Sequence, residues 1–184
     1  MKTLPGQIET ERLIIRAAQP GDGAVFNTAL HASLEHLSPW LAWVTPPPTP
    51  EQSEESCRLA HERFLRNEDL MALIFRKDCG SLVGGSGLHD ADWETGKFEI
   101  GYWGHAAFGG RGYITETVRA LADHALEKLG ANRVFLTTDD RNTGSWKVAE
   151  RAGFTLEGIL RNERLDIAGS LRDTRVYARV AAQP

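Results

Sequence analysis

The sequence predicts a mixed α/β fold of the α+β kind: a twisted sheet of about seven strands with helices on both faces. Three patterns lead there. First, the stretches Leu73–Arg76, Leu82–Leu88 and Lys97–Trp103 are separated only by the turns Asp78-Cys79-Gly80 and Glu94-Thr95-Gly96, the pattern of an antiparallel meander. Second, the last of these runs into a helix-period stretch (Ile114, Val118, Leu121, Ala125, Leu129) and then the apolar segment Arg133–Thr138. A strand, a helix and a strand in that order make one crossover unit with parallel strands. Third, Phe154–Leu160 and Arg172–Val180 read as two closing antiparallel strands. A sheet parallel near its middle and antiparallel at its edges needs helices on both faces.

The remaining elements follow in order. Arg12–Ala18 is a short apolar stretch and the expected first strand. Pro20, Gly21 and Asp22 start a helix with Val25, Phe26, Ala29, Leu30 and Leu34 on one stripe. Leu37–Val44 is an aromatic loop, and Pro46–Pro48 a stiff spacer. Thr49-Pro50-Glu51-Gln52 has the form of a capping box with proline at the first helical position, and the helix behind it buries Cys57, Ala60 and Phe64. Gly130 suits a helix C-cap, and Asn142 or Thr143 caps a further helix ending at Gly153.

A chain of 184 residues, 41% hydrophobic and 25% charged, suits one domain, residues 1–184, with a sizeable core. The net charge of −4 argues against a nucleic-acid partner, which would call for a basic stripe. The arginines from Arg161 to Arg179 alternate with Glu163, Asp166 and Asp173, so that region is mixed. Two cysteines, Cys57 and Cys79, lack metal-ligand spacing; a disulfide between them is the other reading, and a reduced, cytoplasmic setting is the simpler one. No signal peptide is expected behind Met-Lys-Thr-Leu-Pro-Gly, and no stretch is long enough to cross a membrane. The six histidines show no i, i+4 pair, so no metal site is expected.

The segment Phe108-Gly-Gly-Arg-Gly-Tyr-Ile-Thr-Glu116 lies between a strand and a helix. A helix N-terminus presents unbonded N–H groups and the positive end of a dipole, so a glycine-rich turn there can take an anion. Gly109, Gly110 and Gly112 let the backbone approach a phosphate, and Arg111 adds a cation. The turn is read as a pyrophosphate cradle, although by itself it is equally compatible with an ordinary loop. It is not a P-loop, since no Gly-Lys-Ser/Thr occurs, and it lacks the third glycine of a dinucleotide fingerprint.

This order of elements resembles the GNAT superfamily of acetyl-CoA-dependent N-acetyltransferases, and in finer detail its RimJ/RimL-like branch, which acetylates protein amino termini. The stretches that carry the resemblance span nearly the whole chain in order: Thr10-Glu-Arg-Leu13, Trp40-Leu-Ala-Trp43, Phe98-Glu-Ile-Gly-Tyr-Trp103, Gly110-Arg-Gly-Tyr-Ile-Thr-Glu116, Asn142-Thr-Gly-Ser145, Gly153–Arg161, Asp173 and Tyr177-Ala178. The superfamily's acyl-CoA pattern is Gln/Arg-x-x-Gly-x-Gly/Ala. Here Gly109 replaces its first residue and Ile114 its last, while Gly112 keeps the central glycine. The tyrosine that many members use to protonate the leaving thiolate is replaced by Ala149, and the RimL-like pattern places a serine at Ser145 instead.

The resemblance implies direct transfer of acetyl from acetyl-CoA to a primary amine. The attacking amine must be neutral, the carbonyl oxygen needs hydrogen-bond donors, and the thiolate needs a proton. Cofactor-binding residues are expected at Ile100, Gly101 and Tyr102 on the strand, at Gly109, Gly110, Arg111, Gly112, Tyr113, Ile114 and Thr115 in the turn, and at Asn142 and Ser145. Gly101, mid-strand, marks either a bulge that exposes N–H groups or a tolerated glycine in a buried sheet.

Ser145 is the expected thiolate donor, and it also suits a helix-end serine that bonds the backbone. Glu99 and Glu163 are the candidate bases. Glu99 leaves the face of Phe98 and Ile100, and is either a base or a solvent-facing carboxylate. A strict count puts Arg164 rather than Glu163 at the family's glutamate position. Trp40, Trp43 and His36 are expected to border the acceptor groove, with core plugs the other reading for the tryptophans and an exposed helix histidine the simpler one for His36. Glu116 suits the helix dipole rather than catalysis.

The leading expectation is an enzyme acting on a protein α-amine. A small-molecule amine and a non-catalytic acyl-CoA-binding module are the alternatives. An open groove favours peptides, and a closed acidic pocket favours polycations. A homodimer is compatible with the chain.

Overall fold

The computed structural model describes residues 2–181. Its strands are β1 (Gln7–Glu9), β2 (Leu13–Ala17), β3 (Leu70–Arg76), β4 (Leu82–Asp92), β5 (Lys97–Gly104), β6 (Arg133–Asp139), β7 (Thr155–Leu165) and β8 (Leu171–Val180). Its helices are α1 (Gly23–His31), α2 (Leu34–Leu37), α3 (Pro50–Leu65), α4 (Tyr113–Glu127) and α5 (Thr143–Arg151). The sheet has eight strands in the order β1-β2-β3-β4-β5-β6-β8-β7, one more than expected. The addition, β1, is three residues long with two of them polar, too short for a period-2 signal.

Every neighbouring pair is antiparallel except β5 and β6, which α4 joins as a parallel crossover. Side-chain alternation builds a core on each face. Leu70, Ala72 and Ile74 of β3 and Phe98 and Ile100 of β5 pack with Val118, Leu121, Ala122 and Ala125 of α4 and Ala149 of α5. Leu73 and Trp103 pack on the other face with Phe26, Ala29 and Leu30 of α1 and Cys57 of α3. Burying a Val or Leu side chain contributes about 1.5–3 kcal/mol, so the stripe of α4 holds that helix, and the glycine turn before it, against the sheet.

The capping box is present. Thr49 accepts from the Gln52 N–H, and the Gln52 side chain accepts from the Thr49 N–H at 2.8 Å. The first helix is shorter than its stripe suggested. Val25 is 39% exposed, and Leu34 belongs to the separate helix α2. α2 leads into the aromatic loop, which holds a single 3-10 turn, Ala42–Val44.

One irregularity positions the site. β5 and β6 pair only at Lys97↔Arg133, Phe98↔Val134 and Glu99↔Phe135. Beyond that point β5 stays bound to β4 as far as Gly104, and β6 to β8 as far as Asp139. The sheet therefore opens between them. The expected bulge at Gly101 is absent: Gly87↔Gly101 is in regular register, and the β4–β5 irregularity lies between His89 and Asp92. The edge of β5 is laid bare by the divergence of β6, each strand being held by a different antiparallel neighbour.

Candidate active site

The opening continues into a cleft of about 1460 Å³ that runs from the β5 edge to the start of α4. Its floor is Ile100–Gly104, its far end Gly109–Thr115, and its flank Asn142, Ser145 and Val148 of α5. The Ile100 side chain is buried in the core, so that residue offers the cleft its backbone only.

Gly110 and Gly112 have φ of 75° and 80°. An L side chain reaches that left-handed region only at a cost, so the turn requires glycine there. A Cβ built on Gly110 would meet no atom within 4 Å, so the space above the turn is open. Gly112 is the N-cap of α4, and the first helical bond runs from the Glu116 N–H to the Gly112 carbonyl. The amides of Tyr113, Ile114 and Thr115 come before it and carry the positive end of the helix dipole.

Glu116 also lines this end of the cleft, but its carboxylate is engaged by the loop just before β2. It accepts from Thr10 Oγ1 at 2.6 Å and from Arg12 Nε at 2.7 Å, tying β2 to α4. Burial opposes its charge, but the hydrogen bonds from Thr10 and Arg12 outweigh that and hold its pKa below the usual range. Arg12 also stacks over Tyr113, 4.7 Å from the ring centroid, and donates to the Arg111 carbonyl at 3.1 Å. The turn is thereby pinned at its rim by Arg12 and Glu116, which share the cleft with its amides.

The Asn142 side chain accepts from the Ser145 N–H at 3.1 Å, so it caps α5. The Ser145 hydroxyl donates to the Tyr102 hydroxyl at 3.3 Å, and Tyr102 donates to the Ser145 carbonyl at 2.8 Å. Burial pushes the Tyr102 phenol up to about 12, against a weaker opposing effect from Ser145. Two protonated hydroxyls thus lie together across the splay.

The candidate bases lie elsewhere. Glu99 is not among the residues lining the cleft, and its carboxylate accepts from Thr137 Oγ1 at 3.1 Å. Glu163 accepts from Thr174 Oγ1 at 2.8 Å and pairs with Arg164 at 2.9 Å. The Thr174 bond, with help from Arg164, holds its pKa below the usual range. Arg164 reaches the cleft and Glu163 does not, as opposite strand faces require. His36 and Trp40 line the cleft, whereas Trp43 lines a second cavity behind β5.

Sequence reasoning missed a rim of cations. Arg119 of α4 and Lys147 and Arg151 of α5 line the cleft beside the turn. The signal was the i, i+4 spacing of Lys147 and Arg151, which puts both on one helix face. Among the described residues no three His, Cys, Asp or Glu side chains converge as a metal site. No helix among them is long and apolar enough to cross a membrane.

The family model described as an acetyltransferase (GNAT) domain matches residues 12–155. This chain belongs to the GNAT acetyltransferase family. It is 32% identical over 168 residues to YdaF of Bacillus subtilis (strain 168), provisionally named a ribosomal N-acetyltransferase, with 91% of each chain covered. It is 29% identical over 136 residues to the ribosomal-protein-serine acetyltransferase of Escherichia coli (strain K12), covering 70% of this chain and 73% of that one. In fold it is similar to RimL, a ribosomal L7/L12 α-N-protein acetyltransferase solved with coenzyme A, at a TM-score of 0.88 and 23% identity, covering 95% and 98% of the two chains.

The protein is an acetyl-CoA-dependent N-acetyltransferase. The residues present fit this cofactor: an open glycine turn, unbonded helix amides and the cations Arg111, Arg119, Lys147 and Arg151 line one cleft. Acetyl-CoA supplies an acyl thioester, and the chain's own groups must hold it, bond its carbonyl oxygen and protonate its sulfur.

Proposed function

We propose that the protein acetylates the α-amine of a protein or peptide amino terminus, of the ribosomal-protein type, in the cytoplasm. One observation carries the choice of acceptor. The walls on the acceptor side are aromatic and reach solvent, with Trp40 37% and Trp43 52% exposed, while the second cavity's only carboxylate among its lining residues, Asp69, is bonded to His89. A polycation would call for free acidic groups, whereas an extended peptide suits an open aromatic groove. The relatives named for ribosomal substrates support the same reading.

In this reading the pyrophosphate lies on Gly109–Thr115, with Arg111, Arg119, Lys147 and Arg151 around it. The bared edge of β5 at Ile100–Tyr102 supplies N–H donors that face the growing charge on the carbonyl oxygen. Asn142 holds the first turn of α5, and so fixes Ser145. The Ser145 hydroxyl, backed by Tyr102, gives the sulfur its proton. The test is an acceptor screen that follows free thiol release from acetyl-CoA. Turnover is expected with peptides that begin in a free serine or alanine. Turnover confined to polyamines, or to free amino acids, would refute the assignment.

A further inference from the structure

The second cavity, about 580 Å³, lies on the opposite side of β5 from the glycine turn and shares Leu41, Gly101, Tyr102 and Trp103 with the cleft. Its outer wall is apolar, with Trp43 stacked on Phe26 at 6.5 Å between ring centroids. Its polar floor is different. His89 Nδ1 meets both carboxylate oxygens of Asp69, at 3.0 and 3.1 Å. An ionised carboxylate can only accept, so Nδ1 carries the proton and Nε2 is left with its lone pair free.

The ring is aimed at the strand floor. A Cβ built on Gly101 would lie 3.5 Å from His89 Nε2, and one on Gly87 would lie 2.5 Å from it. Two glycines side by side, Gly87↔Gly101, make room for the imidazole against the backbone where the two cavities meet. No part of the transfer chemistry described above uses this pair.

We propose that His89, oriented by Asp69, is the catalytic base that deprotonates the acceptor, and that the second cavity seats the acceptor's first residue. The proposal rests on the N-terminal acetyltransferase reading and adds to it. A neutral imidazole with its Nε2 lone pair free can take a proton from an α-ammonium as general base. The ammonium proton passes to Nε2, and the freed nitrogen lone pair forms the C–N bond to the thioester carbonyl carbon. The C–S bond breaks and the sulfur takes the Ser145 hydroxyl proton, the second proton that the nitrogen sheds on becoming an amide passes through water to restore that hydroxyl, and the imidazolium returns its proton to water.

The charged groups facing His89 are Asp69 just before β3, Glu99 across the strand pair in β5, and Arg63 of α3 in the cavity wall.

The test uses the full chain, saturating acetyl-CoA and a hexapeptide with a free amino-terminal serine. His89→Gln is expected to lower kcat/KM for the peptide about 10²-fold at pH 7, with the deficit shrinking above pH 9, where the α-amine is already neutral. Acetyl-CoA affinity should stay within about twofold of the wild type. Asp69→Asn should give a smaller loss with the same dependence on pH. In the cofactor-free wild type, the His89 Cε1 resonance should move on adding the peptide and not on adding its N-acetylated counterpart. This readout needs neither turnover nor a variant that folds. Equal profiles for wild type and His89→Gln, or a resonance that the peptide leaves unmoved, would overturn the proposal while wild-type turnover kept the parent reading standing. A wild type that acetylates no α-amine would overturn both.

Discussion

Replacing Gly112 separates the conformational from the electrostatic part of the anion site. At φ of 80° an L residue costs about 1–2 kcal/mol of backbone strain. Its Cβ would lie 3.6 Å from Arg12 Nη2, ordinary contact, so the strain is the whole structural penalty. Asparagine tolerates the left-handed region best among L residues, and aspartate has the same shape with one negative charge. If that charge sits about 4–5 Å from a phosphate, the repulsion is about 3–4 kcal/mol at an effective dielectric constant of 20. That corresponds to two to three decades in Kd.

Gly112→Asn should therefore lose some thermal stability and little affinity for coenzyme A. Gly112→Asp should melt at a similar temperature but bind about 10²–10³-fold more weakly, with the gap between the two narrowing in high salt. Isothermal calorimetry and thermal melts read both quantities. Equal affinities for the Asn and Asp variants would mean that no phosphate lies on the tip of α4, and the placement of the cofactor would fall with it.

Ser145→Ala should lower turnover about 10²-fold, with acetyl-CoA affinity changed less than about twofold; turnover at the wild-type rate would leave Ser145 a helix-end residue that only bonds Tyr102. Glu99→Gln should retain the acid limb of the rate profile that His89→Gln removes, and loss of that limb would return the base to Glu99. Burial pushes the Cys57 thiol up to about 12, so a thiol reagent at pH 8 should label one of the two cysteines in the folded protein, Cys79, and both after denaturation. Glu116 has a folded pKa below its unfolded value, so its contribution is complete above the unfolded pKa and disappears as pH falls through the folded one. Glu116→Gln should then be about 1 kcal/mol less stable than wild type at pH 7, with the two melting together at low pH; a constant difference down to pH 2 would refute the ion-pair origin.

Much of the site was legible in the chain because it is local. The turn Gly109–Gly112 and the stripe from Ile114 to Leu129 lie within a few helical turns of one another, so glycine spacing and 3.6-residue period were enough to place a glycine turn at a helix tip. The Thr49 capping box and the Asn142 cap likewise involve residues three apart. Which cavity Trp43 borders depends on which side of β5 the loop from Leu37 to Val44 folds over, and no local period records that. Val25 misled because a nine-residue helix leaves one edge of its stripe beyond the reach of the sheet.

The sequence alone determined the order of elements, the crossover through α4, the glycine tip and the family, since each rests on residues near one another or on an ordered set of short motifs. Tertiary structure decided what those parts enclose. It parted β5 from β6 after Glu99, because each strand is held by a different antiparallel neighbour. It brought Tyr102 to Ser145 across 43 positions, and His89 to Asp69 across 20. Such contacts depend on register and on which face a strand turns inward, and a shift of one residue would have sent each of these side chains to the other side of the sheet.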